Sequence, residues 1–267
     1  MSVPLELPGC RLVWREVGGG VPILFIHGTG ASAWGDLPAR TAAFARAITY
    51  DRRGFGESHA RPVADLRRHE DDAIALLAAR DAGAAIVVGW SIGGVVAIGI
   101  AVRRPDLVRA LVLLEPPLWA KRHPDLDLFS GVVVSILTGY LTGPVRGGRR
   151  FIRWVSRERD GANSLDKVSP EVRHQIDGNA AAVGVEIRAG TGEHLSSTDL
   201  AKITAPTMVI IGDRSQPFFE ASARRLTGTV PGARLERLAG ASHFLQLERS
   251  EAIAQLIRDT MEHTRAA

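Results

Sequence analysis

The 267-residue chain has a single cysteine, Cys10, so it can form no internal disulfide and offers no cysteine-rich metal site. Lysine is nearly missing as well: Lys121, Lys167 and Lys202 are the only three, and almost all of the basic charge is arginine. Neither sign of charge dominates. Thirty-three basic residues face 29 acidic ones, a formal net charge of +4, and that balance carries no nucleic-acid footprint. There is no P-loop, no H-E-x-x-H pair and no G-x-G-x-x-G between a strand and a helix, so no cofactor and no metal are expected. The N-terminal MSVPLELPGCRLVWREV lacks a basic region followed by an apolar one, which suggests a cytoplasmic protein rather than a secreted one. One uncharged run, Ala85 to Val102, is about long enough to cross a bilayer. It holds GWSIGG behind a turn-like DAGA, so a buried strand, a tight turn and a buried helix explain it better, and no membrane span is expected.

What remains is ordinary for a folded domain, 45% hydrophobic and 23% charged, and long enough for one α/β core with an insertion. Apolar runs alternate with helical patterns, which favours a mostly parallel sheet. CRLVWREV alternates like an early antiparallel strand. VPILFI, AITY, AAIVVG, ALVLLE, TMVIIG and ARLERLA follow as further strands. Helices are expected over Leu37–Arg46, through HEDDAIALLAARDA with Asp65 as its cap, over Ile92–Arg104, through FFEASARRL, and near Ser250–Glu262. Between Leu118 and Ser197 the rhythm breaks into helical segments only. The expected organisation is a core of residues 1–117 and 198–267 with a helical cap, or lid, at 118–197. Within it, VRGGRRFIRWVSRER reads as a helix with solvated arginines and Phe151, Ile152, Trp154 and Val155 turned inward, rather than as a phosphate or membrane site. SPEVRHQIDGNAAAVGVEI reads as one helix opened by Ser169 and Pro170.

Gly89-Trp90-Ser91-Ile92-Gly93 fits G-x-S-x-G between a strand and a helix. A serine on so sharp a turn needs small neighbours, and the turn aims the backbone N–H of Ile92 at a developing oxyanion. Ser91 is the expected nucleophile. A serine needs a base, and His243 in GASHF lies after the last strand, giving the order serine first, histidine last. His27 reads as structural; His59, His69, His123, His174, His194 and His263 read as exposed. The second oxyanion donor is expected in HGTGAS after the first buried parallel strand, from Thr29 or alternatively Gly30.

FIHGTG, YDRRGFGES, GWSIGG, the GDRS loop and GASHF together resemble the α/β-hydrolase superfamily over nearly the whole chain. The resemblance implies an α/β-hydrolase fold: a mostly parallel eight-stranded sheet with helices on both faces, a helical cap after the sixth strand, and a serine–histidine–acid triad. Asp51 and Arg52 in YDRRGFGES then read as structural. The family commonly takes its acid from the loop after the seventh strand, where this chain has Ser215. Asp213 stands two residues early, which in extended chain displaces a carboxylate by about 6–7 Å. Glu115 ends the sixth strand, 24 residues after the serine (115 − 91). That placement is similar to the zearalenone-opening lactonases and one group of haloalkane dehalogenases. Glu115 is the preferred acid and Asp213 the alternative.

The expected activity is hydrolysis of an apolar carboxylic ester or lactone by a Ser91–His243–Glu115 triad. Trp90, Trp119 and Phe218 are the expected substrate contacts, and Phe129, Val132, Ile136 and their lid neighbours are candidate pocket liners. Carbon–carbon bond hydrolysis, cofactor-free perhydrolysis and a non-catalytic ligand-binding role are the rival readings.

Overall fold

The computed structural model describes residues 3–58, 60–118, 126–190 and 194–266. Its strands are β1 (Val3–Leu7), β2 (Cys10–Gly18), β3 (Pro22–Ile26), β4 (Arg46–Tyr50), β5 (Ala85–Trp90), β6 (Val108–Leu114), β7 (Thr207–Gly212) and β8 (Arg234–Leu238). They form one eight-stranded sheet in the order β1-β2-β4-β3-β5-β6-β7-β8. β1 and β2 are antiparallel to each other, β2 is antiparallel to β4, and all later pairs are parallel. β1 was not foreseen. It pairs only with β2, at the sheet's edge, where a short strand carries little apolar pattern.

The helices are α1 (Leu37–Ala42), α2 (Leu66–Ala79), α3 (Ile92–Arg103), α4 (Leu126–Thr142), α5 (Pro144–Val155), α6 (Pro170–Gly178), α7 (Ala180–Glu186), α8 (Ser197–Leu200), α9 (Pro217–Thr229), α10 (Leu245–Glu248) and α11 (Ser250–Ala266). Successive strand residues face opposite sides of a sheet, and the two cores follow that alternation. Leu24, Ile26, Val87, Leu111, Leu113 and Val209 pack with α2, α3 and α9 on one face. Ile23, Phe25, Ile86, Val88, Val112 and Ile210 pack with α1 and α11 on the other. The uncharged run 85–102 is β5 and α3, buried along almost its whole length. Among the described residues no helix is long and apolar enough to cross a membrane.

Two helices end earlier than the sequence suggests. α1 stops at Ala42 because Arg46 already begins β4, its N–H donating to Val21 O at 2.9 Å. The segment from Pro170 to Ile187 breaks at Asn179, whose side chain is spent elsewhere: Oδ1 accepts from Gly56 N–H at 3.0 Å and Nδ2 donates to Gly30 O at 2.9 Å.

Helices α4 to α7 lie in the insertion between β6 and β7. Their packing depends on missing side chains. A Cβ on Gly148 of α5 would collide with Ala180 O, and one on Gly184 of α7 with Pro144 O, so these backbones touch.

Candidate active site

Ser91 follows the last residue of β5 and precedes α3, with φ 53° and ψ −125°. That left-handed φ is costly for a residue with a side chain. Two neighbours permit it: a Cβ on Gly93 would collide with Ile26 O, and one on Gly89 would lie 2.5 Å from Gly93 O. Ser91 N–H donates to Leu114 O at 2.8 Å, which ties the turn to the end of β6.

Trp90 and Leu114 are register partners, so Ser91 and Glu115 leave adjacent strand ends together. Glu115 is also at positive φ, 48°, and its side chain is fully buried. Its two oxygens are both engaged: Oε1 accepts from Gly212 N–H at 2.8 Å, and Oε2 lies 2.8 Å from His243 Nδ1. A buried carboxylate without such partners would be strongly unfavourable. With Nδ1–H donated to Glu115, Nε2 is the nitrogen left to accept a proton.

His243 is held from three sides. Besides Glu115, its backbone oxygen accepts from Trp90 Nε1–H at 2.9 Å, and the Phe219 ring stacks on its imidazole with centroids 4.4 Å apart and planes 17° apart. Trp90, expected to touch substrate, lies instead in the core between Trp34, His243 and Phe244, buried in the apolar cluster that also holds α1 and α11.

Asp213 is exposed, and its Oδ1 accepts from Gly240 N–H at 2.8 Å, which closes the turn after β8. The remainder of its loop docks the insertion. Gln216 Nε2 donates to Trp154 O at 2.8 Å and Val155 O at 3.0 Å, while Arg159 Nε donates to Ser215 O at 2.8 Å. Arg214 pairs with the buried Glu158, and Phe218 stacks on Trp154 with ring planes 8° apart.

A cavity of about 30 Å³ opens at Ser91. Thr29, Ile92 and Pro117 line it from the core; Val132, Phe151, Trp154, Val155, Glu186 and Ile187 line it from the insertion, with Phe218 beside them. Ile92 is the first residue of α3, where an N–H has no intrahelical acceptor. Gly30 is not part of this lining; its φ is +107° and its carbonyl is held by Asn179. Trp119 lies outside the described residues, as do His59 and His123.

Glu186 had not been singled out, yet it is the charged group of the lining. It pairs with Arg52 through both oxygens, and His69 Nε2 lies 3.2 Å from Oε1. Arg52 also donates through Nε to His27 O at 2.9 Å and through Nη2 to Gly28 O at 3.1 Å. Burial pushes the Glu186 carboxyl up, but Arg52 and His69 outweigh it and hold it at about 2. Burial, then Arg52, push the fully buried His27 down to about 3. His27 is therefore neutral, with Nδ1–H donating to Gly28 O at 2.6 Å and Nε2 accepting from Arg52 N–H at 2.8 Å. His69 is buried rather than exposed, since the polar side of α2 faces ion partners instead of water: Glu70 and Asp71 meet Arg103, and Asp72 meets Arg53. The signal for Glu186 was available: a carboxylate in NAAAVGVEI, an apolar helix, needs a buried cation. Among the described residues no cluster of His, Cys, Asp or Glu could hold a metal.

The curated relatives include the 2-hydroxymuconate semialdehyde hydrolase of Pseudomonas putida, 29% identical over 94% of this chain and 90% of that protein. They also include the pimeloyl-[acyl-carrier protein] methyl ester esterase of Neisseria meningitidis serogroup B, 27% identical over 90% of this chain and 92% of that protein. Among solved structures, Est816, described as an N-acyl homoserine lactone degrading enzyme, superposes with a TM-score of 0.75 over 96% of this chain and 99% of its own; at 22% identity the likeness is one of fold. The family model described as the alpha/beta hydrolase family matches residues 23–256, and with that match the chain belongs to the alpha/beta hydrolase family.

Proposed function

We propose that the protein is a serine hydrolase of carboxylic esters or lactones, with Ser91, His243 and Glu115 as its triad. The observation that carries this reading is the 2.8 Å contact between Glu115 and His243 Nδ1, in register beside a serine on a strained turn. Ser91 Oγ attacks the carbonyl carbon as His243 Nε2 takes its proton. The Ile92 N–H and the Thr29 N–H hold the oxyanion, and Glu115 stabilises the imidazolium. His243 returns the proton to the leaving alcohol, then activates a water that releases the acid.

The lining favours an apolar, uncharged acyl group, since Glu186 with its bound Arg52 offers no free cation to an anionic one. At about 30 Å³ the cavity at Ser91 is small, which favours a short group on the acyl side.

Likeness to the 2-hydroxymuconate semialdehyde hydrolase favours a second reading, carbon–carbon bond hydrolysis by the same residues. A fluorophosphonate probe should label Ser91 in the folded protein and fail on Ser91→Ala; an unlabelled Ser91 would sink both readings. Turnover of p-nitrophenyl esters and lactones, set against a ring-cleavage diketone, separates them.

A further inference from the structure

Eight large apolar side chains are exposed among the described residues, and seven of them fall between Leu126 and Val145. At 100° per residue, Leu126, Val134, Leu137, Tyr140 and Leu141 share one face of α4. Tyr140 and Leu141 are 71% and 83% exposed. The opposite face of the helix, with Gly131 and Ser135, is buried; Gly131 lies against Trp154 and Ser135 O against Gly147 of α5. Exposed apolar side chains gathered on one helix face, with Ser130 the polar residue among them, mark an interaction surface rather than ordinary scatter.

Charge beside the face identifies its partner. From Leu128 to Arg157 the sequence has no acidic residue, while Arg146, Arg149, Arg150, Arg153 and Arg157 follow one another along and after α5. Arg149 and Arg153 are answered by Asp177 and Asp166. Arg146 and Arg150 are exposed and have no ion-pair partner among the described residues. Arg188 lies over the Tyr140 ring, 5.9 Å from its centroid, which adds a cation at the edge of the face. A second copy docked here would meet these arginines with a stretch equally empty of carboxylates. An anionic bilayer surface answers both halves at once, taking the apolar side chains among its acyl chains and the guanidinium groups among its phosphates.

We infer that α4, with Arg146, Arg150 and Arg188 at its border, is a docking surface for an anionic lipid bilayer. The helix lies in the plane of the interface and does not cross it. Val132, on the same helix, lines the cavity at Ser91, so α4 is the wall between that surface and the cavity. This inference rests on the exposed face and its charges and not on the proposed hydrolysis, so Ser91→Ala should bind lipid as the unsubstituted chain does.

The test is flotation of the full chain with vesicles of phosphatidylcholine alone and of phosphatidylcholine with phosphatidylglycerol. The chain should float with the anionic vesicles and not with the neutral ones. The R146Q/R150Q variant should lose roughly 30-fold in partitioning, about fivefold per arginine. L137D/L141D should lose flotation altogether while keeping the melting temperature. Absence of flotation with anionic vesicles, or equal flotation of R146Q/R150Q, would overturn the inference. So would a lipid-independent dimer in sedimentation that L137D/L141D converts to monomer, since that assigns the face to a second copy.

Discussion

Glu115 and Asp213 are both carboxylates near the ends of strands, and they differ in what they touch. Glu115 reaches His243 Nδ1, whereas Asp213 accepts from the Gly240 N–H at the surface. Glu115→Gln should therefore lower kcat by about 10³–10⁴-fold, because the amide cannot stabilise an imidazolium. Asp213→Asn should leave kcat within about tenfold, because an amide oxygen still accepts the Gly240 bond. Steady-state kinetics of the two variants decide the matter, and a large loss on Asp213→Asn alone would reverse the assignment. The candidates were legible because strained turns and strand ends leave motif-like traces: G-x-S-x-G, a terminal histidine, and a glutamate before two prolines. Trp90 was misread for a physical reason. It adjoins Ser91 in sequence, but its side chain is buried among Trp34 and Phe244, where it braces the His243 backbone.

At the scale of elements, the insertion is joined to the core by a buried ion pair as well as by apolar packing. Glu186 on α7 reaches Arg52 in the loop after β4, and both side chains are almost wholly buried. Glu186→Gln leaves a buried guanidinium without its counter-charge and should cost about 3–5 kcal/mol in urea unfolding. Asp166→Asn, which weakens the exposed pair with Arg153, should cost no more than about 1 kcal/mol. Equal losses would mean that burial does not set the worth of the pair. The strands of the core other than β1 were readable because each is an apolar run or an alternating pattern between turns. The insertion was readable as helical segments between the sixth and seventh strands, but its packing was not, since it rests on glycines and on contacts between residues far apart in sequence, such as Glu186 with Arg52. Asn179, which splits α6 from α7 by bonding to Gly30 and Gly56, carries no local sign of that role.

For the whole molecule, the buried histidines and Glu186 set the response to acid. His27 takes a proton near 6.5 when unfolded but only at about 3 when folded. Between those values the unfolded chain binds the extra proton, so the stability this group supplies is complete above about pH 6.5 and is lost as the pH falls toward 3. His69, also lowered by burial and then by Arg52, acts in the same direction. Glu186, lowered from 4.5 to about 2, contributes above 4.5 and loses its contribution as the pH drops through 2. Unfolding free energy should be lower by about 1 kcal/mol or more at pH 5.5 than at pH 7.5. An unchanged urea midpoint across that range would show that His27 is not held neutral.

The Asn179 side chain has a consequence for engineering. Its amide fastens Gly30, next to the proposed oxyanion donor Thr29, to the junction between α6 and α7 of the insertion. The insertion is therefore not a cassette that can be exchanged to alter specificity while the catalytic core stays intact. A chimera that brings in foreign helices without an asparagine at this point discards a strut of the core itself, and its turnover would suffer before its selectivity could be judged.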